Sequence, residues 1–282
     1  MFFKGKRNTQ IKRALIVAND HPTAHLAGPP NDAIDMASFL VGDGYMKASE
    51  IRVITGSRCT ADAVRSRLDW LTKGLQPDDL WLFYYSGHGT QLPARNNEGE
   101  LDGLIEGTVP YDFDGTRQKM ITDTEYNQRF SATPKNSGTA IFDSCFSGGI
   151  IMPEDTKEFA MKFLTLHDKE DKFLPMHPDH AWRMRGLLEK QAHKVLFYKN
   201  LAPTCLVVSA CREDQTAADA VFNRRPNGAL TYYLLRSLKA GQNTPMSEIL
   251  ETTKGQLVAN GYDQVPSLEG NLVKQESAFL AY

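Results

Sequence analysis

The chain is poor in cysteine, holds no long apolar run and carries no excess of charge of either sign. Each shortage closes a class of function. Its four cysteines, Cys59, Cys145, Cys205 and Cys211, form no CxxC pair and no Cys/His cluster at zinc-ligand spacing. A zinc-ribbon scaffold and a dithiol redox motif are therefore excluded. So few cysteines, without an export signal, also argue against a disulfide framework. No segment approaches the run of about 20 apolar residues that a membrane helix needs. The opening MFFKGKRNTQ has no apolar signal core, so a soluble, cytoplasmic protein is expected. Lys and Arg total 32 against 34 Asp and Glu, a net charge of −2. Neither nucleic acid nor an anionic membrane then has a bulk electrostatic reason to bind. Basic residues are scattered apart from the start and a loop at Arg224-Arg225, and there is no internal repeat.

What is present is alternation. The 282 residues are 41 % hydrophobic and 23 % charged, ordinary for a globular α/β protein. Buried strands are predicted at Lys12–Ala18, Ile51–Thr55, Leu80–Tyr85, Thr139–Phe142 and Thr204–Ala210, with a last short one near Ser277–Ala281. Helices are predicted between them. The first is capped by Asn31 or Asp32 and ends at Gly42-Gly44, the second begins at Thr60, and the third starts at Thr124 or Glu125. Two more fill Gly228–Ala240 and about Thr244–Asn260. The intervening Thr90–Gly107 reads as a polar, Gly-rich loop. This order gives a mainly parallel sheet of about six strands flanked by helices, in one α/β domain. Residues 151–203 break the rhythm, being charged and without apolar periodicity. A stretch that long between sheet strands is usually a lid, a binding loop or a linker. His21 and His25 read as solvated loop histidines, and the spacing of His167, His177, His180 and His193 follows no recognised ligand pattern, so no metal site is expected there.

Two stretches share one grammar. Thr139–Gly149, TAIFDSCFSGG, is an apolar strand running into Asp143, Ser144 and Cys145, then a small-residue turn. Asp79–Tyr85, DLWLFYY, runs into Ser86-Gly87-His88-Gly89. In open α/β sheets reactive groups sit just beyond the carboxyl ends of such strands. One strand therefore delivers a thiol and another an imidazole, 57 residues apart (145 − 88). A thiolate is the nucleophile, and a nearby His can take its proton and later return one to a leaving amine. Backbone N–H groups at Cys145, with Gly87 or Gly89, would cradle an oxyanion. No Asp or Asn is clearly placed to orient His88, so a dyad rather than a triad is expected. Cys205 and Cys211, flanking an apolar strand, read as small core residues, and Cys59, before a helix start, as inert.

YYSGHG followed by FDSCFSGG resembles the caspase-like cysteine peptidases, specifically the metacaspases and their bacterial relatives, the orthocaspases. LAGPPNDA at Leu26–Ala33, ITDTE at Ile121–Glu125, SACREDQ at Ser209–Gln215 and NGALT at Asn227–Thr231 extend the likeness over nearly the whole chain. The resemblance implies a caspase-like fold with residues 1–150 as a large-subunit-like part, 151–203 as linker and 204–282 as a small-subunit-like part. It implies an endopeptidase acting on protein or peptide substrates through His88 and Cys145, monomeric, and open to restraint by its linker or a regulatory partner. It also implies cleavage after Arg or Lys, since Asp32, Ser86 and Asp143 match the family's acidic S1 positions. Carboxylates there would bind a guanidinium and repel an acidic side chain.

The chain departs from the family in four places. Phe146 follows the cysteine where His is common, Pro29 replaces a pocket Cys, and the usual acid pair of ITDDE is Asp123-Thr124. Met152 also stands where an acid is often found, so any Ca2+ site near Asp123 would be weak and no cofactor is expected to be required. The resemblance places candidate self-cleavage positions in the linker, at Arg183, Arg185, Lys190 and Lys194. Two other readings stay open: a catalytically silent caspase-like binding module, and a clan relative dedicated to one protein target.

Overall fold

The computed structural model describes residues 9–93, 104–145, 170–171, 205–211, 217–270 and 272–281. Its centre is a six-stranded sheet built from β1 (Lys12–Ala18), β2 (Ile51–Thr55), β3 (Leu80–Ser86), β7 (Gly138–Asp143), β9 (Cys205–Ser209) and β12 (Ser267–Gly270). The spatial order is β12-β9-β7-β3-β1-β2. All neighbours are parallel except β12, which runs antiparallel to β9. The expected mainly parallel sheet of six strands is therefore present.

Helices cover both faces because the inner strands are apolar on both. Ala14, Ile16, Leu82, Tyr84 and Ile141 join one core cluster. Leu15, Val17, Trp81, Phe83, Phe142 and their neighbours join the other. The alternation is the two-residue period of a strand. Helices α1 (Pro29–Gly42), α4 (Ala229–Ala240) and α5 (Met246–Ala259) contribute to the first cluster. Helices α2 (Ala61–Thr72) and α3 (Asp123–Ser131) contribute to the second. A short α6 (Leu272–Gln275) follows β12. The same period carries Ser86 and Asp143 onto the α1/α4 face, because they continue the parity of Tyr84 and Ile141. That parity later decides which partners they meet.

Some of the expected elements are different. The span read as a loop from Thr90 contains β4 (Gly89–Pro93) and β5 (Leu104–Thr108), an antiparallel pair extended by β6 (Ile121–Thr122). Of Arg224-Arg225, read as a loop, only Arg224 lies in a turn, while Arg225 opens a strand. β10 (Ala218–Phe222) and β11 (Arg225–Gly228) form a hairpin closed by Asn223 and Arg224, at φ 51° and 67°. Positive φ at both positions is the turn that matches strand twist. β10 also pairs with a two-residue strand, β8 (Glu170–Asp171). Ser277–Ala281 is not a strand either. Phe279 is 2 % exposed and packs its ring 5.9 Å from Phe39, so burial of one large side chain produced the apolar signal there. The sixth strand is Ser267–Gly270 instead. Among the described residues no helix is long and apolar enough to cross a membrane.

Gly138 opens β7 opposite Trp81. A Cβ there would lie 1.8–2.4 Å from atoms of the Trp81 ring, which is itself fully buried and donates to Ser137 Oγ at 3.1 Å. Gly138→Ala is expected to cost at least about 1–3 kcal/mol through overpacking. A urea midpoint indistinguishable from the parent's would show that the indole moves aside freely.

Candidate active site

The register fixes where the two motifs emerge. Ser86 of β3 lies opposite Asp143 of β7. His88 and Cys145 each stand two residues further on, at the carboxyl ends of adjacent parallel strands. The glycine before the histidine is required: Gly87 has φ +155°, and a Cβ there would lie 2.8 Å from both Asn19 O and Tyr85 Oη.

His88 is 4 % exposed, and its Nε2 lies 2.8 Å from Ala24 O. A carbonyl only accepts, so Nε2 carries the hydrogen and donates it. In the neutral ring the lone pair then sits on Nδ1. The orienting group that no Asp or Asn supplied is thus a backbone carbonyl. The His88 carbonyl is pinned in turn by Tyr85 Oη at 2.7 Å and Val109 N at 3.0 Å. Burial holds the Tyr85 phenol well above its ordinary pKa, so it remains a donor.

Ala24 is held by the loop after β1. Its N–H donates to His21 O at 3.1 Å, and Leu26 N donates to Asp20 Oδ1 at 2.8 Å. His21, expected to be solvated, is 4 % exposed; its Nδ1 accepts from Thr23 N and its Nε2 donates to Phe113 O at 3.1 Å. It is a structural histidine that braces the loop. His25 is exposed as expected and pairs with Asp20 at 2.7 Å.

Cys145 is fully buried, with Sγ receiving the Ala217 N–H and directed to Ala217 O at 3.4 Å. Burial pushes the Cys59 and Cys205 thiols up to about 12, so neither is a nucleophile near neutral pH. Of the backbone groups expected to meet an oxyanion, Gly87 N donates to Asp143 O at 3.3 Å and continues the sheet. Gly89 begins β4 opposite Thr108.

The acidic residues converge. Asp32 was read as a cap of α1, yet α1 begins with Pro29 after Gly28, and the Asp32 side chain leaves its own helix. It is fully buried, and accepts from Ser86 Oγ at 2.7 Å, Asn227 Nδ2 at 2.9 Å and Gly228 N at 2.9 and 3.1 Å. Asp143 is fully buried too, with Oδ2 accepting from Thr231 N at 3.0 Å and Thr231 Oγ1 at 2.6 Å. The structure therefore brings Asp32, Ser86 and Asp143 into one layer between β3, β7, α1 and the start of α4. Asp219 adds a third buried carboxylate, accepting from Gly28 N at 2.8 Å. Any Cβ at Gly28 would collide with it at 1.8 Å.

Asp123 is 3 % exposed and accepts from Thr124 N at 2.6 Å at the start of α3. Among the described residues no three His, Cys, Asp or Glu side chains gather as a metal site. Arg183, Arg185, Lys190 and Lys194, with His167, His177, His180 and His193, lie outside the described residues.

A cysteine and a histidine at neighbouring carboxyl ends of a six-stranded, mainly parallel sheet define a caspase-type α/β protein. The caspase-domain family, Peptidase C14, matches residues 11–276. The chain belongs to that family. It is similar to Metacaspase-1 of Candida albicans, 26 % identical over 297 residues that cover 92 % of this chain and 65 % of that protein. Metacaspase-1B of Neurospora crassa is 28 % identical over 289 residues, covering 91 % of this chain and 66 % of the relative. The chain thus spans slightly under two thirds of the length of these two relatives. Among solved structures, GSU0716 from Geobacter sulfurreducens superposes with TM-score 0.64 at 20 % identity, covering 95 % of this chain and 98 % of its own. Caspase-1 from Spodoptera frugiperda gives 0.53 at 10 % identity, covering 95 % and 93 %. At those identities the likeness is one of fold.

Proposed function

We propose that this chain is a cysteine endopeptidase that cleaves proteins after Arg or Lys, with Cys145 as nucleophile and His88 as its proton acceptor and donor. The observation that carries the reading is the matched exit of both residues from β3 and β7, with His88 Nε2–H committed to Ala24 O. That commitment leaves Nδ1 to accept the thiol proton. The thiolate then attacks the scissile carbonyl carbon, and the tetrahedral oxyanion is received by the N–H groups of Cys145 and Gly89. His88 protonates the leaving amine as the C–N bond breaks, giving a thioester. Water, deprotonated by the same imidazole, attacks that thioester and restores the thiol.

The side-chain preference is assigned to Asp32, Ser86 and Asp143. Their layer offers carboxylate oxygens to a guanidinium or ammonium and opposes an acidic residue. Ca2+ is proposed to be dispensable, because Thr124 and Met152 stand where the family often has acids. The linker basics, Arg183, Arg185, Lys190 and Lys194, are proposed sites of self-cleavage, checked by the intact mass of the parent against Cys145→Ala.

A second reading rests on one contact. Cys145 is enclosed by Ala217, as a chain that binds without cleaving would allow. Matched fluorogenic peptides ending in Arg, Lys or Asp decide between the two. Arg and Lys peptides are expected to be cleaved at equal rates in Ca2+ and in excess chelator, and the Asp peptide at least about 100-fold more slowly. Preference for Asp would refute the pocket assignment. Loss of activity in chelator would refute Ca2+ independence. No cleavage of any peptide would favour the binding module.

A further inference from the structure

Asp32 and Asp143 stand on different elements, yet both are held by the same short piece of chain. Gly228 N donates to both oxygens of Asp32, while Thr231 N and Oγ1 donate to Asp143 Oδ2. These groups occupy the N-cap and first turn of α4. N–H groups there lack intrahelical partners and favour negative charge.

Proton counting gives the network a direction. Thr231 has one hydroxyl hydrogen, and it goes to Asp143 at 2.6 Å. The Tyr84 phenol, 2.5 Å from Thr231 Oγ1, must then be the donor in that contact. Tyr84 is fully buried. Burial first, then the charges of Asp32 and Asp143, hold its phenol well above the ordinary range, so the donor is kept. On the other side one amide serves two carboxylates: Asn227 Nδ2 donates to Asp32 Oδ1 at 2.9 Å and to Asp35 Oδ2 at 2.8 Å. Arg225 pairs with Asp35 and reaches Asn227 Oδ1 at 3.3 Å. The Asp35 charge is thereby balanced within β11 and α1, and the amide is turned toward Asp32.

We infer that Asn227 and Thr231 are positioning residues for side-chain selectivity: they aim the Asp32 and Asp143 carboxylates, so preference for a cationic P1 residue depends on the junction between β11 and α4. The inference rests on the reading of Asp32 and Asp143 as the P1-binding pair. Neither residue needs to touch the substrate. A carboxylate that loses one of its fixed donors, of which, among the described residues, Asp32 has three and Asp143 two, rotates, and bidentate recognition of a guanidinium is sensitive to that rotation.

The test uses two peptides that differ only in P1, one with Arg and one with citrulline, which has nearly the same shape without the charge. Thr231→Val keeps the side-chain volume and removes the donor, Thr231→Ser restores it, and Asn227→Ala removes the bridging amide. Asp143→Asn is the reference. Thr231→Val and Asn227→Ala are expected to lower the Arg-to-citrulline ratio of kcat/KM by about 10-fold or more, as loss of a charge-assisted hydrogen bond would. The change should lie mainly in KM for the Arg peptide, with citrulline turnover held within about threefold and Thr231→Ser near the parent. A merely structural role would lower both peptides together. An unchanged ratio in both variants, while Asp143→Asn lowers it, overturns the inference and leaves the P1 reading standing. A parent ratio near one that Asp143→Asn does not alter shows that the P1 reading has failed, and the inference falls with it. Should Thr231→Val not fold, Tyr84→Phe removes the donor behind Thr231 at constant ring volume. It is expected to lower the ratio in the same direction by a smaller factor, and no change there would overturn the inference equally.

Discussion

Cys145→Ala is expected to lower kcat/KM on an Arg peptide by about ten-thousand-fold or more, and His88→Ala by a comparable factor. The double variant should lose no more than the worse single one. The reason is that, in the proposed mechanism, the two groups act on one proton. Without the thiol there is nothing for the imidazole to activate; without the imidazole the thiol has no acceptor, because Nδ1 supplies the lone pair that Ala24 leaves available on that ring. Groups that act as a unit give grossly non-additive losses. Steady-state kinetics on the three variants measures this, with circular dichroism to confirm the fold. Losses that multiply in the double variant would mean that the two residues act independently. Substantial activity in Cys145→Ala would place the nucleophile elsewhere. The second outcome would point to the half-buried Cys211, since burial keeps the Cys59 and Cys205 thiols protonated, at about 12.

The largest effect on stability is expected at Asp32. Replacing it with alanine leaves the donors Ser86 Oγ, Asn227 Nδ2 and Gly228 N without their shared acceptor in a site that is fully buried at position 32. Breaking a buried charged network from one side costs about 3–5 kcal/mol, whereas loss of an ordinary helix cap costs about 1 kcal/mol. Asp32→Asn is expected to be nearly as damaging. Gly228 N addresses both carboxylate oxygens, so an amide nitrogen on either side would face a donor. Denaturant unfolding of the parent and both variants measures the difference. A loss below about 1 kcal/mol in both would show that the network is replaced by water at little cost. The network joins α1 to the β11–α4 junction, so the same variants should also reduce Arg cleavage.

The comparison of sequence and structure turns on what a side-chain pattern can encode. The inner strands were readable because continuous apolar runs bounded by Gly and Asp have few other uses in a chain of this composition. The two strand-end motifs were readable for the same reason, each being a reactive residue directly after such a run. The hairpins β4–β5 and β10–β11 were not. Their strands are four or five residues long and mix Gly, Pro and Asn with apolar residues, which is how loops are written too. Ser277–Ala281 misled in the opposite direction, because one buried Phe279 in a tail looks like part of an apolar strand.

By itself the sequence determined the kind of sheet and the order of its main elements, and it singled out His88 and Cys145 as the pair proposed to carry the chemistry. These depend on local runs and on two-residue and 3.6-residue periods, which neighbouring positions carry. Only the tertiary structure decided what orients those residues. Ala24 acts through its carbonyl, which no side chain advertises, and Asp32 caps a helix nearly two hundred residues away rather than its own. His21 likewise turned from a solvated loop residue into a buried brace. Hydrogen bonds between distant segments satisfy polar groups that burial would otherwise leave stranded, and which groups become neighbours is settled by how the strands and helices pack.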